Sequence, residues 1–327
     1  MKPNEKKFDV LTIFDACVDL IVELGDTVPE FDQKEKLFDD FGLYMGGSAC
    51  LFASQCAKLG LKTTGAGVVG KDSFGKLVSE TLKKCGVNTD YLSERDGIKT
   101  SIGISLNKGA DRAILTYDQS ILAADLSLIT DEMLMQTRHL HIASYYLLKK
   151  LQPDIPLLLK RAKKYGLTTS LDTNWDPDEK WILDTEILKL IDVFLPNENE
   201  IKLLSKTDDL EAAIAFFREY VPITALKLGA RGAVAVTKSE RVMLPAPHVR
   251  VMDTIGAGDS FDGGFLYGYL NGCSLEKSLE YGIICGSHNV SQRGGYDGQA
   301  KLQALLEAEK TGGQLNFTMR QTKDEPN

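Results

Sequence analysis

The chain has 327 residues, with 38 Lys+Arg against 46 Asp+Glu, a formal net charge of −8. Hydrophobic residues make up 43 % and charged ones 26 %, which fits one large α/β domain or two smaller ones. The acidic balance weighs against a general nucleic-acid binder, although a few backbone amides can still hold a single phosphate.

The start of the chain leads into an apolar run broken by Asp9, Asp15, Asp19 and Glu23. It does not read as a signal peptide, and no uncharged stretch of about 18 residues is present to span a bilayer. Cys17, Cys50, Cys56, Cys85, Cys273 and Cys285 lack CxxC spacing and read as reduced thiols of a cytoplasmic protein.

Residues 8–14 suit a buried strand, and 48–59 carry small and apolar residues at helical spacing up to Gly60. A strand over 61–69 precedes a helix capped by Asp72 or Ser73 and running to Lys84. Further on, 138–143 reads as a strand, 155–165 as a helix and 167–171 as a strand. Helix 184–191, strand 192–195, helices 198–204 and 209–219 and strand 223–228 continue the alternation. A hairpin-like pair covers 232–237 and 241–244, and helices follow at about 258–271 and 275–290. This order predicts a parallel sheet with helices on both faces. Segments 15–45 and 98–122 break the rhythm with short strand-like runs at 17–24, 100–106 and 112–117. They read as edge hairpins or as a small β lid over a site at the strand C-termini. From about Thr311 the chain is polar and reads as a loosely held tail.

The strongest local feature is Asp253-Thr254-Ile255-Gly256-Ala257-Gly258-Asp259, which runs directly into an apolar, Gly-rich helix. Amides of Gly256, Ala257 and Gly258 at a helix N-terminus favour an anion, and Asp259 beside them could activate a hydroxyl. The same segment also reads as an ordinary turn with Asp259 as a cap. Gly65-Ala66-Gly67-Val68-Val69-Gly70, with Asp90 twenty residues beyond its last glycine, is a formal GxGxxG. A nicotinamide site would need a helix opening inside that motif, whereas Val68 and Val69 look like strand interior. His139 and His141 share one strand face, and without a third ligand they read as structural histidines.

The 253–265 segment resembles the second signature of the ribokinase-like (PfkB-type) carbohydrate kinases, and further matches fall in that family's order. Asp15 and Asp19 resemble its sugar-binding segment, and Gly46-Gly47-Ser48 its hinge between lid and body. Residues 67–75 are close to its first signature. Pro196-Asn197-Glu198-Asn199-Glu200 is similar to its Asn-x-x-Glu motif, Lys227–Gly232 to its nucleotide-binding turn, and Asp172-Thr173-Asn174 to its Asp-x-Asn turn beside the cleft. The resemblance covers roughly residues 8–305. At the place of the family's sugar-contacting Asn this chain has Leu51.

The resemblance implies a three-layer α/β/α sandwich over residues 1–310, with lid segments 15–45 and 98–122. It implies ATP-dependent phosphorylation of a sugar hydroxyl, with Asp259 as base and the 256–258 amides as anion hole. Asp15, Asp19, Gly46, Gly47 and Leu51 would face the sugar, and Asn197, Lys227, Gly229 and Thr254 the nucleotide. Asn197 also reads as a plain helix cap, and Lys227 as a solvated lysine. Glu200 would hold hydrated Mg²⁺. Asp253, with carbonyls of Ile255, Asn289, Gln292 and Gly294, would hold a monovalent cation such as K⁺. Asp262, one turn beyond Asp259, receives no role. An exposed lid face leaves room for a homodimer. A nucleoside kinase of the same family, with Tyr44 or Tyr117 stacking a base, and a non-catalytic sugar-binding regulator are the competing readings.

Overall fold

The computed structural model describes residues 6–109 and 111–310. The proposed tail from 311 lies outside the described residues. Strands β1 (Phe8–Phe14), β2 (Cys17–Glu23) and β3 (Asp40–Gly46) precede helix α1 (Ser48–Lys58). Then come β4 (Thr63–Gly70), α2 (Ser73–Lys84), β5 (Leu92–Arg95), β6 (Ser101–Lys108) and β7 (Asp111–Tyr117). Short helices α3 (Gln119–Leu122) and α4 (Asp131–Met135) lead to β8 (Thr137–Ile142), α5 (Ile155–Lys164), β9 (Thr168–Leu171) and α6 (Thr185–Leu188). The chain continues through β10 (Val193–Phe194), α7 (Glu198–Ser205), α8 (Leu210–Arg218) and β11 (Ile223–Lys227). It closes with β12 (Ala233–Val236), β13 (Arg241–Leu244), α9 (Ala257–Leu270), α10 (Leu275–Asn289) and α11 (Leu302–Lys310).

Nine strands form one sheet in the order β13-β12-β11-β10-β9-β8-β1-β4-β5. Its pairs are parallel except β11–β12 and β12–β13. The alternation of β1 shows why helices cover both faces. Leu11 and Ile13 join Leu158, Ile201 and Phe217 in one core. Val10 packs with Phe52, Phe265 and Ile283 in the other. The result is the three-layer α/β/α sandwich that the alternation predicts.

The formal GxGxxG lies entirely within β4, every residue of which is buried. Side chains at Gly65 or Gly67 would strike Phe14, at 2.4 and 2.7 Å, so these glycines make room for a core ring. Helix α2 begins only at Ser73, after the Asp72 cap. The nicotinamide reading ends there.

A second sheet has the order β3-β2-β6-β7. It uses the 17–24, 100–106 and 112–117 runs and adds β3. Its joint to the large sheet is a carboxylate clamp. Asp72 accepts from the Gly75 amide at the start of α2 and from the amide and hydroxyl of Thr100, each at 2.8 Å. Asp72→Ala therefore removes a helix cap and strands the buried donors of Thr100 together. It should lower unfolding free energy by about 2 kcal/mol, read as a reduced urea midpoint at unchanged slope. A loss within error would show that the joint is held by packing alone.

Candidate active site

Helix α9 starts at Gly256, whose φ of 72° lies in the left-handed region that glycine adopts without strain. The Ala257 amide turns back to the Thr254 carbonyl at 3.3 Å. Among the described residues the Gly256 and Gly258 amides have no protein acceptor. Two of the three expected amides thus point free, and the third is partly engaged. Asp259 is 6 % exposed and does not cap the helix, so the plain-cap reading fails. Burial, and after it the charge of Asp172, push its carboxyl well above the usual carboxylate range. Lys227, and a hydrogen bond with Ser48 beside the Gly46-Gly47 hinge, pull the other way.

A largely apolar cavity of about 520 Å³ opens beside this turn. Gly229, Val251, Thr254, Ala257, Gly258 and Ile283 are among its lining residues. The expected nucleotide residues Lys227, Gly229 and Thr254 are therefore brought together with the loop. Its size and lining suit a heterocyclic ligand.

Lys227 is not a solvated lysine. Its Nζ lies 2.7 Å from Asp172 Oδ2 and 3.1 Å from Asp262 Oδ1. Burial disfavours the ammonium, but Asp172 and Asp262 outweigh it and hold the lysine strongly protonated. The two carboxyls also hydrogen-bond to each other: despite burial, Lys227 holds Asp172 low, while burial drives Asp262 high.

Asn197 and Glu200 form a reciprocal capping box on α7. The Asn197 amide donates to Glu200 at 2.9 Å, its side chain donates at 2.6 Å, and the Glu200 amide donates back at 3.0 Å. Burial and the Asp172 charge raise the Glu200 carboxyl to about 7. Among the described residues no group of three or more His, Cys, Asp or Glu could hold a metal. A single buried carboxylate already bonded by Asn197 suits Mg²⁺ held through water and substrate phosphates, which needs few protein ligands.

On the other side of the hinge, Asp15 is 1 % exposed. It accepts from the amides of Ser48 (2.9 Å) and Ala49 (3.0 Å) and from the Ser144 hydroxyl (2.5 Å). Both its oxygens are thus engaged at the start of α1, just after Gly47. Asp19 is freer. Its carboxylate lies over Gly46 and Gly103, where a Cβ would come within 2.4 and 2.7 Å. Burial, and next the Asp15 charge, raise it to about 7. The register places Tyr44, Asp19, Gly103 and Thr116 on one face of the small sheet and Tyr117 on the other. Leu51 is buried and packs against the positions of Gly256 and Gly295.

The 253–294 loops close on themselves. Asp253 accepts from the amides of Ile255 (3.0 Å) and Gly294 (3.2 Å), and Asn289 Nδ2 donates to the Ile255 carbonyl at 2.6 Å. The Ile255 oxygen must therefore share any cation with that amide. Asn289 Oδ1 is buried without a partner, an acceptor that a cation would satisfy. Gln292 is exposed and Gly294 buried.

His139 bonds Thr168 and Ser170, and His141 bonds the same Ser170, which is the structural reading. Trp181 is buried, while Trp175 is 54 % exposed with its ring against Trp181. The sequence reading placed Asp262 one turn from Asp259 but gave it no role, and it did not bring Ser48 to Asp259. An acidic residue inside an otherwise apolar, Gly-rich helix was the available signal for Asp262.

The sequence pattern of the pfkB family carbohydrate kinases matches residues 12–302. The chain belongs to this family. It is a sugar kinase, a phosphotransferase with an alcohol acceptor. A curated relative, the 5-dehydro-2-deoxygluconokinase of Listeria monocytogenes, is 28 % identical over 90 % of this chain and 94 % of its own. The adenosine kinase structure from Sinorhizobium meliloti superposes with a TM-score of 0.82 at 24 % identity, over 93 % of this chain and 99 % of that one. A putative ribokinase II from E. coli, solved with ATP and Mg²⁺, gives 0.79 at 23 % identity over 93 % and 99 %. These structures share the fold of this chain.

Proposed function

We propose that this kinase transfers the γ-phosphoryl group of ATP to a hydroxyl of a deoxy sugar acid. The observation that carries the chemistry is Asp259, buried and not engaged as a cap, directly after the turn whose Gly256 and Gly258 amides are free and whose Ala257 and Gly258 line the cavity. Asp259 accepts the acceptor's hydroxyl proton, that oxygen bonds to the γ-phosphorus, and the bond to the bridging oxygen of ADP breaks. The amides of the Gly256–Gly258 turn hold the charge on the phosphoryl oxygens, so positioning and electrostatics supply most of the rate. Glu200 and Asn197 would hold Mg²⁺ through water, and when bound it would supply charge neutralisation on the ATP phosphates.

The acceptor class draws on the relatives' name and on two residues. Leu51 offers no hydrogen-bonding group beside the Gly256 turn, which suits a substrate carrying hydrogen there. Arg112 lies on the same face of the small sheet as Asp19 and its charge reaches that carboxylate, which suits an anionic acceptor. The small sheet serves as the lid, with Asp19 gripping hydroxyls and Asp15 holding the hinge. A nucleoside acceptor is the second reading, favoured by Tyr44 on the Asp19 face. The six cysteines are all free, which suits a reducing, cytoplasmic setting.

An ATP-consumption screen over pentoses, ketoses, sugar acids and nucleosides decides the acceptor. A deoxy sugar acid should lead it and ribose should be weak. Ribose as the best acceptor by a wide margin refutes the assignment from Leu51. Asp259→Asn should lower kcat by at least about 10²-fold with KM little changed. Because the carboxyl is raised, the wild-type rate should be lost on acidification well above pH 4, the ordinary carboxylate value being about 4. Near-normal turnover of Asp259→Asn would mean the base is elsewhere.

The unpartnered Asn289 Oδ1 supports a monovalent cation held with Asp253 and the Ile255 carbonyl. Activity should rise when K⁺ replaces a bulky organic cation at constant ionic strength; a flat response removes the site. Phe41, Leu43, Leu115 and Tyr117 lie exposed on the lid's outer face, which supports a homodimer closed through it. Sedimentation should give twice the 36.0 kDa chain mass, and a monomer at micromolar concentration would exclude that assembly.

A further inference from the structure

Four carboxyl groups surround one ammonium behind the phosphoryl-transfer loop. Lys227 runs inward from the end of β11, and its side chain is 12 % exposed against 2 % for Asp172 and 1 % for Asp262. A methyl group on Gly258 would come within 3.4 Å of Nζ, so the ammonium stands directly behind the N-terminal turn of α9. Asp259 faces it from the same helix and Glu200 from α7. His141 and Asp15 are the next titratable neighbours of this group.

Burying such a cluster is a poor device for stability alone. Each ion loses several kcal/mol of hydration, and packed apolar side chains of similar volume often do as well or better. A fixed cation beside a helix N-terminus does add positive potential where phosphoryl oxygens gather charge. Asp262 also sits three residues beyond Asp259 on α9, so one helix carries both the base and the anchor of the ammonium.

We infer that Asp262, together with Asp172, is a positioning residue for phosphoryl transfer: the two carboxyls hold Lys227 behind the Gly256–Gly258 turn, where its charge acts on the transferring group. This rests on the kinase reading above. Asp262 accepts from the Lys227 ammonium, at 3.1 Å to Oδ1 and 3.4 Å to Oδ2, and shares a hydrogen bond with Asp172. An asparagine can make the same two bonds, and a leucine can make neither.

The test compares Asp262→Leu, Asp262→Asn and Lys227→Met with the wild type, in steady state and by thermal melt. Lys227→Met should lower kcat by about 10²-fold, the effect of losing one fixed donor to a developing oxyanion. Because it leaves Asp172 without a counter-charge, the pair Lys227→Met/Asp172→Asn provides a charge-balanced version expected to fold with the same loss. Asp262→Leu should lower kcat by at least about tenfold with acceptor KM unchanged, and Asp262→Asn should restore it to within about threefold. In the Lys227→Met background Asp262→Leu should have almost no further effect, because both changes remove one interaction. ADP with aluminium fluoride, a planar anion in place of the transferring group, should bind weakly to both variants while ATP affinity changes little.

Equal effects of Asp262→Leu in both backgrounds, or a charge-balanced variant within threefold of wild-type kcat, would overturn the inference. A failure of the wild type to phosphorylate any acceptor would instead overturn the kinase reading. Lower melting temperatures with unchanged kcat would assign the cluster to folding and equally refute it.

Discussion

The geometry of the site depends on how closely α9 can be pressed against its neighbours. At Gly264 a Cβ would lie 2.4 Å from the Tyr281 carbonyl of α10, and at Gly263 2.7 Å from the Gln55 side chain of α1. Two adjacent glycines therefore let one helix seat between two others, with no freedom to shift along either. The N-terminal turn is limited in the same way, since a side chain at Gly256 would meet the Gly295 carbonyl at 2.7 Å. Amides, carboxylate and cavity wall are rigid with respect to one another because this helix is. That rigidity is what preorganised electrostatics requires.

The second constraint is charge. Asp15, Asp19, Asp172, Glu200, Asp259 and Asp262 converge on a region whose buried cation is Lys227. Burial raises five of them, all but Asp172, and two, Asp19 and Glu200, reach about 7. ATP would add several negative charges to this region. Binding therefore has to be accompanied by cations or protons. The acidity of the whole chain is incidental to this. What matters is its concentration at one end of the sheet.

The layered fold was legible because its signals are local. Buried strands such as β1 and β4, the Asp72 cap and the glycines ending α1 and α5 each act within a few residues. β3 was missed because Gly42 and Gly46 interrupt its apolar pattern; Gly42 makes room for the neighbouring Tyr44 ring, but the reason for Gly46, the Asp19 carboxylate, is not local. The Gly256–Asp259 turn was readable as a motif. The burial of Lys227 was not, since its partners lie 55 and 35 residues away in sequence. A lysine next to a glycine turn reads as solvated until the sheet brings Asp172 beneath it. Asp15 shows the same limit, as its hydrogen bonds to Ser48, Ala49 and Ser144 span up to 129 residues.

The hydrogen bonds also separate one carboxyl from the rest. Asp15 is engaged by three donors, Asp172 by Lys227 and the Asn174 amide, Glu200 by Asn197, and Asp253 by two backbone amides. Asp262 is tied to Lys227 and to Asp172. Asp19, which accepts from the Cys17 thiol, and Asp259, bonded to Ser48, are the least engaged of these, and they stand on different parts of the molecule. Asp19 is carried by the small sheet, over glycines, where its charged neighbours are Asp15, Asp253 and Arg112. Asp259 is carried by the helix whose amides point at the cavity, with Lys227 behind it. A base must reach both the acceptor hydroxyl and the phosphorus it attacks. Of these two carboxyls only Asp259 is fixed to the Gly256–Gly258 turn, and that is the physical ground for proposing it rather than Asp19 as the base.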